Sequence, residues 1–435
     1  MADFVYFWFR RDLREYDNHG FYRALNSGFK VRPVFIFDKS ILDKLDNTKD
    51  ARVRFIHKEL TEMKNRFRNL GSDIEIQYGS AEEIWTKLLQ NKPQSIYTNE
   101  DYEPYAIKRD TKVSELCSQQ GISFNLFKDQ VIFAKDEVVK DDGKPYTVFT
   151  PYMKKWKLRL QSHPIETYPS EIYLSNLDSF NADPIPALES MGFSKSEHEF
   201  PQKEIQQSRI KNYENQRDIP SILGTSRLSI HFRFGTVSVR DKFKKGVSLS
   251  EKWINELIWR EFYMQILWHF PHVIQGAFKD QYNRIDWRNN EDDFEKWKEG
   301  KTGYPLVDAG MRELNTTGFM HNRVRMVVAS FLTKHLLIDW RWGEAYFAEK
   351  LLDFELASNN GGWQWAAGSG VDAAPYFRVF NPQSQLEKFD PDCKYVKTWV
   401  PEFGTSNYPK PMVDHKMARE RCLEVYKLCL SSDAN

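Results

Sequence analysis

The chain has 435 residues, 41% hydrophobic and 15% aromatic, which is enough apolar mass for two cores and excludes a disordered protein. A formal net charge of +1 creates no global field for nucleic acid, so any such surface is a local patch. The four cysteines, Cys117, Cys393, Cys422 and Cys429, contain no C-x-x-C pair, which argues against a structural metal site or disulfide framework and for reduced thiols.

The chain opens on the strand-like Phe4-Val5-Tyr6-Phe7-Trp8-Phe9 with no leader pattern, and Arg10-Arg11 precedes Asp12-Leu13-Arg14 rather than an apolar segment. Its most apolar stretch, residues 326–332, is too short to span a bilayer. A cytoplasmic protein without a membrane partner is expected. Over residues 1–130, strand signals at 5–9, 31–37, 74–77, 95–98 and 123–126 alternate with amphipathic segments such as 51–70 and 81–90. That alternation predicts an α/β domain built on a doubly wound parallel sheet, with its ligand crevice at the carboxyl ends of the strands. The turn after the first strand, Arg10 to Arg14, is not a Gly-rich dinucleotide loop, which excludes an NAD dehydrogenase.

Residues 131–205 are rich in Pro, Ser, Asp and Glu with weak periodicity, and predict an interdomain connection. Within it, Thr150-Pro151-Tyr152-Met153-Lys154-Lys155-Trp156-Lys157 is a candidate docking element. From 206 to 435 helical spacing dominates, with helices expected at 251–270, 303–318, 321–338 and 343–357. The tryptophans concentrate there, which makes the helical domain the place for chemistry.

Three constellations in this half each have two readings. Gly224-Thr225-Ser226-Arg227-Leu228-Ser229 reads equally as a phosphate site at a helix N-terminus or as an ordinary serine N-cap. Glu256, Trp259, Arg260 and Tyr263 share one helical stripe, either a polar pocket for a base-like ligand or a packed Trp259 beside a surface Glu256–Arg260 pair. Residues 314–338 contain Arg323, Arg325 and Lys334 but no acid, so they either contact phosphate or take acidic partners from elsewhere. Asn322 and Met326 share a face there, and His269, His272 and His335 lack metal-ligand spacing, so no metal is expected.

The most informative run is Asn359-Asn360-Gly361-Gly362-Trp363-Gln364-Trp365, continuing to Pro382. Glycines admit a flat ligand, amides address polar ring edges, and indoles stack or exchange electrons. The run reads as the wall of a pocket for a large aromatic cofactor rather than as a packing helix.

Six segments carry a family resemblance: Trp8 to Arg14, Gly224 to Ser229, Asn255 to Phe262, Lys301-Thr302-Gly303-Tyr304-Pro305-Leu306-Val307-Asp308-Ala309, Met320 to Met326, and Asn359 to Pro382. Together, in order over residues 4–403, they resemble the photolyase/cryptochrome flavoproteins, and class I cyclobutane pyrimidine dimer photolyases in particular. The resemblance implies FAD folded into a U in the helical domain. On matching positions Tyr213, Thr225, Ser226, Arg227, Leu228, Ser229 and Trp253 hold its phosphates and surroundings. Asn359 faces flavin N5, and Arg325 and Asp353 pair beside the ring. Glu355 stands where the family usually has Asp, one methylene longer, at flavin N3. Trp363, Trp340 and Trp287 match an electron-hopping chain from the surface.

The implied activity is that of a deoxyribodipyrimidine photo-lyase, in which blue light drives an electron from reduced FAD to a flipped-out dimer in damaged DNA. At the lesion, Glu256 bonds a base, Trp259 and Trp365 wall the dimer, Asn322 and Met326 complete the pocket, and Arg217 and Arg323 hold phosphates. A monomer and a second antenna chromophore are implied. Tyr102-Glu103-Pro104-Tyr105-Ala106 and the Arg10–Arg14 loop do not choose between folate, deazaflavin and flavin. One rival is a (6-4) photolyase, against which Asn322 and Met326 stand where that group uses histidine chemistry. The other is a cryptochrome sensor, often marked by a long C-terminal extension, which is not seen after Trp399-Val400-Pro401-Glu402.

Overall fold

Five short apolar runs separated by helices can pair only through crossover connections, which makes the strands parallel. In the computed structural model, which describes residues 3–195 and 198–431, these strands are β1 (Phe4–Phe9), β2 (Lys30–Asp38), β3 (Glu75–Gly79), β4 (Ser95–Asn99) and β5 (Ser123–Phe127). All pairs are parallel and the order is β3-β2-β1-β4-β5, the expected doubly wound sheet. All six residues of central β1 are buried, which is why it reads as a continuous apolar run rather than an alternating one. The strand order reverses between β1 and β4, and the Arg10–Arg14 turn lies at that switch point.

Two compact units interleave along the chain. The first takes Met1–Glu137, Lys157–Glu204 and Arg227–Ser248; the second takes Val138–Trp156, Ile205–Ser226 and Leu249–Asn435. The stretch expected to be one connection, 131–205, is therefore shared between the units, and residues 227–248 return to the first. Buried charge fixes that return. Arg14 forks onto Asp129 at 2.8 Å to both oxygens, and Arg240 bonds Asp129 at 2.8 Å and Asp17 at 3.1 Å. Burial works against the Asp129 charge, but Arg14 and Arg240 overcome it and hold the carboxyl well below the usual range.

The second unit is helical, and its main core gathers Trp297, Met311, Val324, Phe331, Trp340, Phe347 and Trp363. Ser250 caps the helix Glu251–His269 by accepting from the Trp253 amide. Pro305 opens the helix Pro305–Thr317, and Gly318 closes it at a φ of 64°. Two expectations need correction. Residues 321–338 form the helix Asn322–Ser330 followed by a π-helical turn, Phe331–His335. Residues 343–357 are two helices, Trp340–Lys350 and Leu356–Ala367, because the Leu352 amide turns away to the Gly318 carbonyl at 2.9 Å.

Candidate functional site

The Asn359–Ala367 part of the informative run is helical after all, within Leu356–Ala367. Its two glycines cost helix propensity, yet tertiary packing overrides that cost. A Cβ on Gly361 would lie 2.2 Å from the Tyr263 ring, so this glycine lets the helix meet Glu251–His269. Gly362 has nothing within 4 Å of its would-be Cβ and faces open space. One glycine is thus for packing, and the other leaves room.

The helix Trp340–Lys350 supports this run from behind. Trp340, Gly343, Glu344 and Phe347 fall on one face at helical spacing. Gly343 seats Trp363, since a Cβ there would stand 2.1 Å from Cη2 of the indole. Asn359 Nδ2 donates to the Glu344 carbonyl at 3.1 Å and to Glu344 Oε1 at 2.8 Å. Burial pushes the Glu344 carboxyl up, partly offset by that bond.

Trp363 and Trp340 are both buried in the main core cluster, and Trp287 is a partly buried neighbour of it. Trp363 meets Phe347 edge-on at 4.9 Å and Trp297 at 6.1 Å. Trp287 meets Tyr426 edge-on at 6.2 Å. Trp297 had no role in the sequence reading beyond being one of many tryptophans in this half, although it touches Trp363 directly.

The cations of the acid-free stretch do take their partners from elsewhere. Arg325 Nη2 bonds both Asp353 oxygens at 3.2 and 3.0 Å, and Arg323 bonds Asp218 Oδ1 through Nη2 at 2.8 Å and Nε at 3.2 Å. Lys334 is buried instead, donating to the Ala367 carbonyl at 2.8 Å, and burial pulls its ammonium down to about 8. His321 caps the Arg323 helix by accepting from the Arg323 amide at 3.2 Å, and burial holds its ring down to about 4.

Of the two readings of the Glu256–Tyr263 stripe, the surface Glu256–Arg260 pair does not form. Glu256 bonds Arg217 at 2.5 Å, while Arg260 bonds Glu355 at 3.3 Å. Glu355 Oε2 also accepts from Ser358 at 2.9 Å, so the longer carboxylate is held at both ends. Burial pushes the Glu256 carboxyl up against the pull of Arg217. Trp259 lies flat on Phe149 at 3.6 Å and 6°. Met326 Sδ lies 3.8 Å from Arg323 Nη1, Asn322 is exposed, and Trp365 is half-buried 6.5 Å from Phe380.

In the second unit Tyr213 and Trp253 are buried, the Thr225 carbonyl accepts from Arg209 at 3.3 Å, and Ser226 is half-buried. In the first, Arg227 has a φ of 54°, Leu228 is buried, and Ser229 opens the short helix Ser229–Phe234. The cap position of that helix is Leu228, without a side-chain cap bond, so the ordinary serine N-cap is not what this motif builds. The Thr302–Ala309 segment proves structural: Asp308 collects Thr302 N, Thr302 Oγ1, Gly303 N and Tyr408 Oη.

At the carboxyl ends of the strands in the first unit, Arg11 bonds Asp101 at 3.1 Å and Glu103 at 2.9 Å, and Arg10 pairs with Asp110. Tyr105 donates to Asp38, and burial followed by that carboxylate pushes its phenol up to about 12.

Both parts of the chain match known proteins. Residues 5–170 match the DNA photolyase family model, and residues 253–406 match the FAD binding domain of DNA photolyase. A deoxyribodipyrimidine photo-lyase of Halobacterium salinarum is 35% identical, covering 97% of this chain and 98% of that protein. The crystal structure of a bacterial class III photolyase from Agrobacterium tumefaciens superposes with a TM-score of 0.86 at 32% identity, covering 99% of this chain and 98% of that one. An archaeal photolyase from Sulfolobus tokodaii, solved with two FAD molecules, gives 0.83 at 35% identity over 97% of this chain and 99% of that one. Matched at both ends and aligned from end to end, this chain belongs to the DNA photolyase family.

Proposed function

We propose that this protein is a photolyase that reverses cyclobutane pyrimidine dimers in DNA under blue light, with FAD as its cofactor. The observation that carries the reading is the helix Leu356–Ala367, which presents Asn359 and Trp363 two to six residues from Trp365, in a chain whose relatives are named for this reaction.

The second unit fits a flavin. Asn255 Oδ1 is buried without a hydrogen-bond partner, and the space over Gly362 is open. With both amide hydrogens given to Glu344, Asn359 keeps its carbonyl oxygen for the ring edge. Arg325, Asp353 and Glu355 are the charged groups assigned to the ring, and Tyr213, Thr225, Ser226 and Trp253 to the rest of the cofactor. When bound, reduced FAD supplies the light-driven electron. Trp363, Trp340 and Trp287 carry electrons inward to restore that reduced state, since indole is readily oxidised and the first two share one dry core.

The dimer must leave the duplex, and photolyases are among the enzymes for which extrusion is the general rule. Glu256 accepts from a dimer base, Trp259 and Trp365 supply the apolar wall, and Asn322 and Met326 fill out the pocket. Arg217 and Arg323 hold the flanking phosphates. Among the described residues no helix is long and apolar enough to cross a membrane; a cytoplasmic location and a monomeric state belong to the same reading. The arginines and carboxylates at the β1–β4 switch point, Arg10, Arg11, Asp101 and Glu103, are the candidate surroundings of an antenna chromophore.

The test is dimer loss from single- and double-stranded oligonucleotides under blue light, with a (6-4) lesion in parallel. Loss of cyclobutane dimers only is expected. No loss with the flavin fully reduced sinks the reading.

A further inference from the structure

Asp218 directly follows Arg217, and no feature of the sequence marks it. In the fold it becomes the hub of an alternating chain of charges. Its Oδ1 takes Nη2 and Nε of Arg323 at 2.8 and 3.2 Å and lies 4.0 Å from Arg217 Nε. Arg217 in turn bonds Glu256 at 2.5 Å. The sequence from one end to the other is Glu256, Arg217, Asp218, Arg323: two anions and two cations, with a net charge of zero.

Three contacts hold the Arg323 guanidinium. Its Cζ lies over the Phe389 ring at 4.3 Å, its Nε/Nη2 edge is on Asp218, and Nη1 rests at 3.8 Å from Met326 Sδ. The outer Nη1/Nη2 edge, with two parallel N–H directions, keeps the geometry that a phosphate accepts in bidentate fashion. Asp218 therefore does not occupy the edge a phosphate needs; it fixes the orientation of the fork. His321, beside Arg323 and Asp218, adds no charge at neutral pH, because burial keeps it unprotonated.

We propose that Asp218 is a specificity-determining residue: it orients the arginines for the phosphates of an extruded lesion, while its charge cancels the attraction those arginines would exert on undamaged DNA. The proposal rests on the assignment of Arg217 and Arg323 to lesion phosphates. Non-specific binding depends on net cationic charge and tolerates any side-chain orientation. A lesion complex needs the two forks in place, and ordering a loose long side chain costs a factor of roughly 2 to 13 in affinity. Removing Asp218 should therefore help the wrong DNA more than the right one.

Two variants separate the two roles. D218N removes the charge and keeps an acceptor oxygen for Arg323; D218A removes both. Side-chain exposure of Asp218 is 41%, so neither variant disturbs a core, and thermal melting checks this. Kd is measured for one oligonucleotide with and without a cyclobutane dimer across a salt series. One uncompensated cation steepens the slope of log K against log salt by about 0.9 and tightens binding to undamaged DNA roughly eightfold at about 0.1 M salt, in both variants. In D218A the preference for damaged over undamaged DNA falls at least about twofold, from ordering the Arg323 side chain, and in D218N it falls less. Unchanged salt slopes overturn the charge-cancelling role. Equal tightening for both DNAs in D218A overturns the orienting role. A wild-type chain with no preference for damaged DNA instead sinks the assignment of function, and the salt slopes still read the charge role on any DNA.

Discussion

Gly343→Ala tests whether the seat of Trp363 is as tight as it looks. An alanine Cβ would stand 2.1 Å from Cη2 and 2.4 Å from Cζ3 of Trp363, and 2.6 Å from Cδ2 of Leu332. Carbon atoms rest at about 3.5–4.0 Å, so the indole must shift by more than about 1 Å. It has little freedom to do so, being 2% exposed with Phe347 at 4.9 Å and Trp297 at 6.1 Å. Overpacking of this kind costs about 1–3 kcal/mol, and replacing a helical glycine by alanine returns about 1 kcal/mol. The net loss is about 0–2 kcal/mol, or about 2–4 °C of melting temperature per kcal/mol. A displaced indole should slow light-driven reduction of the flavin while leaving repair by chemically reduced protein nearly intact. Melting curves and photoreduction under a fixed lamp measure both. A variant that melts and photoreduces like the wild type would refute the argument, because it would show that the core yields without moving Trp363.

Three further outcomes are expected. Gly362→Ala adds a methyl to open space and should stabilise the flavin-free protein by up to about 1 kcal/mol; FAD retention falls if that space belongs to the flavin, and unchanged retention places the flavin elsewhere. Trp363→Phe should block photoreduction but preserve repair once the flavin is reduced chemically, and unimpaired photoreduction would remove Trp363 from the route. Burial holds His231 and His321 at about 4, below the unfolded value of about 6.5, so the unfolded chain binds the extra protons. Stability should be complete above about pH 6.5 and decline towards pH 4, by up to about 2 kcal/mol per histidine at pH 5; a melting temperature flat between pH 7 and 5 contradicts this.

The strands were legible because each is a short apolar run bounded by turn residues, and their observed ends differ little from the expected ones. The break between Lys350 and Leu356 was not, because its cause is the Leu352 amide bonding Gly318, a partner far outside any helical window. The helical state of Asn359–Ala367 was hidden for a related reason: two adjacent glycines argue locally against a helix, and only Tyr263 shows why one of them is needed. In the candidate site, residue types were readable and their partners were not. Asn359 and Arg323 carry visible chemistry, whereas Glu344 and Asp218, which fix them, lie 15 and 105 residues away and look like any surface acid. Phe149 stands one residue outside the segment singled out as a docking element, yet it is the ring on which Trp259 lies.

The buried arginine–aspartate cluster of the first unit also governs how the chain can be made and cut. Arg240 reaches Asp17 and Asp129 across 223 and 111 residues. During synthesis the sheet is complete by Phe127, but those two carboxylates wait for more than a hundred further residues, at about 5–20 residues per second, before Arg240 arrives. A fragment ending at Glu204 would keep every strand and still leave Asp17 without Arg240, so no single cleavage yields either unit whole. Separate expression of either unit would require a gene that joins its three segments directly, rather than a truncated one.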